Sequence, residues 1–238
     1  MKTPKEILGH ISGGCVLDVA TGNGGFIHFL LDGLYDYIEI IGIDTNPRGA
    51  ERFAQAFQDK HNIHFEIGDA LHLNYRAESF DTVSISNSLH HFENPQTVLA
   101  EMIRLLRPEG HLILAEMYRD RQTETQMTHV YLHHWWGAVD RISGIVHNET
   151  FMREEIVVMF TSLRLIDQRI HDLSDTSDNP KTPEILAELT SVIDRYIQRA
   201  EGHSDLQARG EELRQRLQGI GFHGAASLIA IGTKANRG

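Results

Sequence analysis

The sequence predicts a doubly wound α/β fold with a seven-stranded, mostly parallel sheet and helical insertions. Short apolar segments alternate with amphipathic ones at intervals of roughly 25 residues, which is typical of strands joined by crossover helices. A glycine-rich segment follows the first apolar segment directly. Among the 238 residues, 41% are hydrophobic and 23% are charged, as in an ordinary globular protein. We therefore expect one domain over residues 1–238.

The first unit of this pattern is a strand, a turn and a helix. A capping box with a proline, at residues 3–6, predicts a short helix that ends near Gly13 and Gly14. Residues 16–20 are apolar apart from one aspartate and predict a buried strand, and the glycines of residues 21–25 predict a turn. Apolar residues at helical spacing over 26–34 complete the unit.

The same alternation continues to residue 116. Asn46 and Pro47 predict a cap and first turn for a helix that runs to about Lys60. A second amphipathic helix ends at residues 107–110, where a proline and a glycine occur. The further strands are predicted at 38–44, 63–67, 81–86 and 111–116.

Two insertions interrupt the pattern after residue 116. The first, at 117–149, is rich in aromatic residues and histidines, and we expect a helical cap over the substrate. A capped helix follows at 150–160 and a sixth strand at 163–170. The second insertion, 171–220, has the apolar stripe of a long helix and is a candidate interface. A last strand is predicted at 222–234, antiparallel to its neighbours.

Charge and cysteine content exclude several classes of protein. The formal charge is −11, which disfavours a nucleic-acid partner, and the single Cys15 excludes an internal disulfide. The first residues have no apolar run like that of a signal peptide, and no apolar run is long enough to cross a bilayer. We therefore expect a cytoplasmic protein with no membrane partner.

The glycine turn predicts a ligand that is not a pyrophosphate. A dinucleotide fingerprint needs a third glycine where Ile27 stands, and Asp18 inside the strand would repel phosphate but suit an amino group or a sulfonium. Asp44, at the end of the second strand, can accept both hydroxyls of a ribose. Asp69 and Ala70, after the third strand, can contact an adenine.

Six segments in this order resemble the motifs of class I S-adenosylmethionine-dependent methyltransferases, which have a Rossmann-like fold. The resemblance is closest to the small-molecule branch that includes the ubiquinone and menaquinone biosynthesis methyltransferases, and it covers residues 14–116 well. Ala20 departs from the family, which often has glycine there. The segments are Val16-Leu17-Asp18-Val19-Ala20-Thr21-Gly22-Asn23-Gly24-Gly25, Gly42-Ile43-Asp44, Gly68-Asp69-Ala70, Phe80-Asp81-Thr82-Val83, Ser86-Asn87-Ser88-Leu89-His90-His91-Phe92 and Leu105-Leu106-Arg107-Pro108-Glu109-Gly110-His111.

The resemblance implies S-adenosylmethionine as cofactor and transfer of its methyl group to a small molecule. It also implies a role for each matching residue. The methionine part would be held by Asp18 and by the backbone of Ala20, Gly22 and Gly24, the ribose by Asp44 with Thr45 beside it, the adenine by Asp69 and Ala70, and the edge of the methionine pocket by Asn87.

Histidines supply the candidates for catalysis. His90 and His91 follow the fourth strand, where either could act as a general base, and His133 is a further candidate. A metal site formed by His91, His129 and His133 is an alternative, since the last two are one helical turn apart. Relatives that bind a metal have a Glu-x-x-Glu-His motif at the position of residues 87–91. In this chain Asn87 and His90 replace the two acids, and His91 keeps the final histidine. We therefore expect a base or a packing role rather than a metal.

Two other functions remain open from the sequence. A nicotinamide-dependent oxidoreductase is disfavoured by Ile27 and Asp18. A non-catalytic subunit that binds S-adenosylmethionine could use the second insertion to form a homodimer or to hold a partner.

Overall fold

The computed structural model describes residues 2–236, which contain seven strands and eight α-helices. Residues 1, 237 and 238 of the predicted domain lie outside it. The strands are β1 (Cys15–Val19), β2 (Glu39–Asp44), β3 (Ile63–Ile67), β4 (Phe80–Ser86), β5 (Leu106–Met117), β6 (Ile166–Leu173) and β7 (Ser227–Thr233). The helices are α1 (Pro4–Leu8), α2 (Gly25–Gly33), α3 (Ala50–Ala56), α4 (Pro95–Leu105), α5 (Glu124–Ile142), α6 (Arg153–Thr161), α7 (Pro183–Arg199) and α8 (Ser204–Ile220), with 3-10 turns at Pro47–Gly49 and Leu89–His91.

All seven strands pair in one sheet, in the order β3-β2-β1-β4-β5-β7-β6. Strands β1 to β5 are parallel to one another, whereas β7 runs antiparallel to both β5 and β6. The predicted fold and the antiparallel last strand are therefore confirmed. The order reverses between β1 and β4, and ligands of such sheets bind in the crevice at this switch point, outside the carboxyl ends of the strands.

Both faces of the sheet are covered by apolar side chains, because alternate residues of a strand point to opposite faces. In β1, Val16 packs in one apolar cluster and Leu17 in the other, and both are completely buried. Asp18 follows them in the strand with 1% of its surface exposed. Burial on both faces leaves the carboxyl edge of the sheet as the place where polar groups reach the surface.

Helices α5, α7 and α8 form a third apolar cluster separate from the two that cover the sheet. Trp135 of α5 is 3% exposed within it, and its indole N–H donates to the carbonyl of Leu206 over 2.9 Å. The cluster draws on residues of both predicted insertions, 117–149 and 171–220. The insertions therefore pack against each other, which the sequence did not predict.

Some predicted boundaries are wrong for local reasons. Helix α1 ends at Leu8 instead of near Gly13, because the N–H of Gly9 caps the helix on the carbonyl of Lys5. Strand β5 begins at Leu106, so residues 107–110 belong to the strand. Two of them pair with the residue after β7, since Glu109 N–H donates to the carbonyl of Lys234 and Lys234 N–H donates to the carbonyl of Gly110.

The last two strands are shorter or later than predicted. Residues 163–165 complete a turn after α6, with Arg164 in the left-handed region at φ +55°, so β6 begins at Ile166. Residues 222–226 lie outside β7 because their N–H groups bond elsewhere. Phe222 N–H donates to the carbonyl of Pro180, and His223 N–H donates to that of Thr125.

Candidate functional site

The glycine turn after β1 depends on left-handed backbone conformations. Gly22 has φ +57° and Gly24 has φ +84°, which glycine adopts without steric cost. Ala20 has φ +54°, so this departure from the resembling family occurs where glycine is the easier residue. The turn leads into α2 and presents backbone at the switch point of the sheet.

Replacing Gly24 by alanine is expected to lower the free energy of unfolding by at least about 1–2 kcal/mol, the cost of a left-handed alanine. A Cβ at this position would also overlap Cε2 of Phe57 and lie 3.0 Å from Cδ2 of Phe53. Urea denaturation measures the loss. Gly219→Ala is the control, because this helical glycine has open space around its Cβ position among the described residues. Equal stability changes in the two variants would contradict the packing.

Asp44, the last residue of β2, joins the second strand to the glycine turn. Its Oδ2 accepts a hydrogen bond from the N–H of Gly22 over 2.9 Å, and its Oδ1 accepts one from the N–H of Asn46 over 2.8 Å. Each carboxylate oxygen can accept a further bond. The carboxylate is thereby held at the carboxyl edge in the orientation that two vicinal hydroxyls require.

A cavity of about 530 Å³ lies above this edge. Of the predicted cofactor residues, five line it: Ala20, Gly22, Asp44, Thr45 and Ala70. The opposite wall is formed by residues that follow β4 and α5, namely Ser88, His91, Phe92, Ile145 and Val146. The cavity is thus bounded by the predicted cofactor residues and by a wall that the segment after β4 and the end of the first insertion form together.

A second cavity, of about 370 Å³, adjoins the first at Ala20. Asp18 and Asn87 line it. The carboxylate of Asp18 accepts hydrogen bonds from the hydroxyls of Thr21 and Ser84, both over 2.7 Å. Burial raises the pKa of this carboxyl to about 6, although the two hydroxyls oppose the shift. An adjacent cation would favour the ionised form.

Three predicted cofactor residues have local structural roles. Asn87, at φ +46°, accepts a hydrogen bond at Oδ1 from the N–H of Met117 over 2.8 Å, which links the ends of β4 and β5. Asp69 accepts from the N–H of Leu71 and is absent from the lining of both cavities, so its contact with the adenine stays a prediction. Gly24 lies against the rings of Phe53 and Phe57 and lines neither cavity.

The two histidines after β4 differ in their exposure, His90 being buried and His91 exposed. His91 lines the main cavity, and burial together with the neighbouring His90 and His147 lowers its pKa to about 4. A general base for neutral pH has a pKa nearer to that pH, so His91 would be a weak base. His90 is completely buried, and its Nδ1 lies 2.6 Å from Oε1 of Glu116.

His133 and His147 complete a group of four histidines with this pair. One ring nitrogen from each lies within 4.8 Å of the others. Burial and the neighbouring His90 lower the pKa of His133. His129 is not one of the four, because its Nδ1 accepts a hydrogen bond from the N–H of Ala225 over 2.8 Å. The predicted trio is therefore wrong in its second member, and His147 takes that place.

Sequence reasoning missed the acids that hold these histidines. Glu116 is the penultimate residue of β5, and its Oε2 also accepts from the N–H groups of Ser88 and Leu89. Asp140 of α5 lies 2.7 Å from Nδ1 of His147 and 2.6 Å from a guanidinium nitrogen of Arg199. A charged residue in an apolar strand was the signal for Glu116, whereas no sequence pattern pointed to Asp140.

Residues 17–114 match the family model described as a methyltransferase domain. The chain is 34% identical to a phthiotriol/phenolphthiotriol dimycocerosates methyltransferase of Mycobacterium leprae over 108 residues. The aligned region covers 45% of this chain and 39% of that protein. Across 102 residues the chain is 41% identical to a demethylmenaquinone methyltransferase of Deinococcus radiodurans, 42% of each chain. The chain therefore spans about two fifths of the length of these relatives.

A solved structure of a methyltransferase-like protein from Bacillus halodurans shares the fold. It aligns with a TM-score of 0.61 at 15% identity and covers 95% of each chain. The match over residues 17–114 is to a methyltransferase domain, and the solved structure shows that the fold is shared. The chain is similar to the class I S-adenosylmethionine-dependent methyltransferases, the quinone methyltransferases among them.

No helix within residues 2–236 has both the length and the apolar character that crossing a membrane would need.

Proposed function

We propose that this protein transfers a methyl group from S-adenosylmethionine to a small-molecule acceptor. The observation that carries the proposal is the carboxylate of Asp44, held on the glycine turn beside a cavity that also reaches Ala70. In S-adenosylmethionine a ribose joins an adenine to a cationic amino acid part. Asp44 lies in the same cavity as Ala70, and Asp18 lines the adjoining cavity, which fits these three parts of the cofactor. The cytoplasmic location, the lack of a nucleic-acid partner and the homodimer stay predictions.

The residues present fit the cofactor. A Cβ at Gly22 would meet nothing within 4 Å among the described residues, so the backbone there is open to a ligand. Asp44 would hold the ribose, the backbone at Ala70 the adenine, and Asp18 the positively charged methionine part. When bound, the cofactor supplies an electrophilic methyl group. The chain's own contribution is to orient both reactants and exclude water.

The acceptor would lie against the wall formed by His91, Phe92, Ile145 and Val146. Three of these side chains are apolar, which suits an acceptor with an apolar body. Two relatives are named for demethylmenaquinone and for phthiotriol dimycocerosates. A demethylmenaquinone analogue is therefore the first acceptor to try.

Asp44→Ala is expected to weaken binding of S-adenosylmethionine by about 10- to 150-fold, equivalent to 1.5–3 kcal/mol for a hydrogen bond to a charged group. Calorimetric titration of the purified protein measures the dissociation constant. Part of the loss comes from the turn itself, because Gly22 N–H loses its acceptor. Asp59→Ala, an exposed aspartate after α3, is the control.

Two results separate the proposal from its alternatives. Formation of S-adenosylhomocysteine that depends on an added acceptor supports methyl transfer and contradicts the non-catalytic subunit. Binding of NAD in place of S-adenosylmethionine would instead support the oxidoreductase. An unchanged dissociation constant in Asp44→Ala, with unchanged thermal stability, would remove Asp44 from the site.

A further inference from the structure

The four histidines come from three parts of the chain that meet at one point beside the main cavity. His90 and His91 form the 3-10 turn after β4, His133 lies on α5, and His147 lies on the segment that follows α5. The N–H of Asn148 donates to the carbonyl of His90 over 2.9 Å, which fastens that segment to the turn. Two of the four imidazoles are buried, and all four ligand nitrogens are close enough to contact one ion.

Two of the imidazoles are oriented by buried carboxylates. Nδ1 of His90 lies 2.6 Å from Oε1 of Glu116, and Nδ1 of His147 lies 2.7 Å from Oδ2 of Asp140. A carboxylate at Nδ1 takes the N–H of a neutral imidazole, which leaves a lone pair on Nε2. Metal-binding histidines commonly have this arrangement, with a carboxylate on the far nitrogen.

Nε2 is therefore the atom of each of these two rings that a ligand can use. Nε2 of His90 is buried and has no hydrogen-bond partner among residues 2–236, which is costly unless something else occupies it. Nε2 of His147 lies 3.4 Å from Nδ1 of His133. In a tetrahedral zinc site with bonds of 2.0–2.1 Å, two ligand nitrogens are about 3.3–3.4 Å apart. This one pair therefore has the separation of two ligands of one ion, and all four ligand nitrogens lie within 4.8 Å of one another.

We propose that His90, His91, His133 and His147 bind one divalent transition-metal ion. Imidazole nitrogen suits zinc, iron, cobalt, nickel and copper better than magnesium or calcium, which prefer oxygen. The carboxylate of Glu116 offsets one positive charge of the ion, and that of Asp140, which also pairs with Arg199, lies close enough to stabilise the rest in part. The proposal departs from the base or packing role that the sequence led us to expect, which stays a prediction.

The proposal does not depend on methyl transfer, because metal binding is measured directly. Tag-free protein is stripped with a chelator, dialysed and titrated with Co²⁺, whose visible absorption intensifies in a tetrahedral nitrogen site. We expect one equivalent of Co²⁺ to bind, Zn²⁺ to displace it, and either ion to raise the melting temperature. Less than about a tenth of an equivalent bound, with no visible band and no thermal shift, would overturn the proposal.

Variants locate the ion. His147→Gln and His133→Gln are expected to abolish the cobalt band. Glu116→Gln keeps an oxygen for the N–H groups of Ser88 and Leu89, but its amide would donate to Nδ1 of His90 and move the ring proton to Nε2. This positioning variant should lose 10- to 100-fold in metal affinity.

His129→Gln is the matched control, because His129 lies on the same helix one turn from His133 but bonds to Ala225 instead. Circular dichroism of each metal-free variant shows whether it folds. Retention of the band in His129→Gln and its loss in the cluster variants support the site. Retention of the full band in both His147→Gln and Glu116→Gln, or its equal loss in His129→Gln, would overturn it.

Discussion

Replacing Trp135 by alanine is expected to lower the free energy of unfolding by about 3–5 kcal/mol. The indole is 3% exposed and lies at the centre of the cluster that α5, α7 and α8 share. Its removal leaves a cavity between the helices and removes the hydrogen bond that the indole donates to the carbonyl of Leu206. A Cβ at Gly210 would already lie 2.5 Å from Cζ2 of the indole, so the helices are in close contact there. Thermal and urea denaturation measure the loss.

The same variant tests the role of the first insertion as a substrate cap. The indole packs within a cluster separate from those of the sheet, so the affinity for S-adenosylmethionine should change by less than about threefold, or 0.7 kcal/mol. Tyr35→Ala is the control, since this aromatic side chain is 70% exposed. A large loss of turnover without a loss of stability would show instead that Trp135 contacts the acceptor.

Asp18→Asn is expected to remove a dependence of stability on pH. The folded-state pKa of Asp18 is about 6, above the ordinary value of 3.8, so the folded protein binds this proton more tightly than the unfolded chain. The stabilisation is complete below pH 4 and is lost as the pH rises through 6. A shift of this size corresponds to about 3 kcal/mol.

The measurement is urea denaturation from pH 4 to pH 8 without cofactor. The free energy of unfolding of Asp18→Asn, relative to that of the wild type, should rise by about 3 kcal/mol over this range. The amide can keep both hydroxyl partners, Thr21 and Ser84, because each hydroxyl can donate or accept. Asp59→Asn should show no such trend. A constant difference between wild type and Asp18→Asn would contradict a buried, uncharged carboxyl.

The alternation of apolar and amphipathic segments predicted the sheet because it reflects local physical rules. Residues 16–20, 38–44 and 63–67 were placed to within one residue of β1, β2 and β3. Strand β6 was misplaced because Leu163 and Leu165 alternate as a strand would, yet they belong to the turn that ends α6. Apolar periodicity reports burial, and two different backbones can bury the same residues.

The sheet, the glycine turn and the position of Asp44 at a strand end could all be predicted from the order of residues. These depend on neighbours in the chain and on the rule that parallel strands end at one edge. Which histidines meet depends instead on how distant segments fold together. His129 and His133 share a helical spacing, but His147 replaces His129 in the cluster because the segment after α5 folds back onto the turn after β4. The pairing of Glu116 with His90 and of Asp140 with His147 depends in the same way on contacts between elements, which no local pattern specifies.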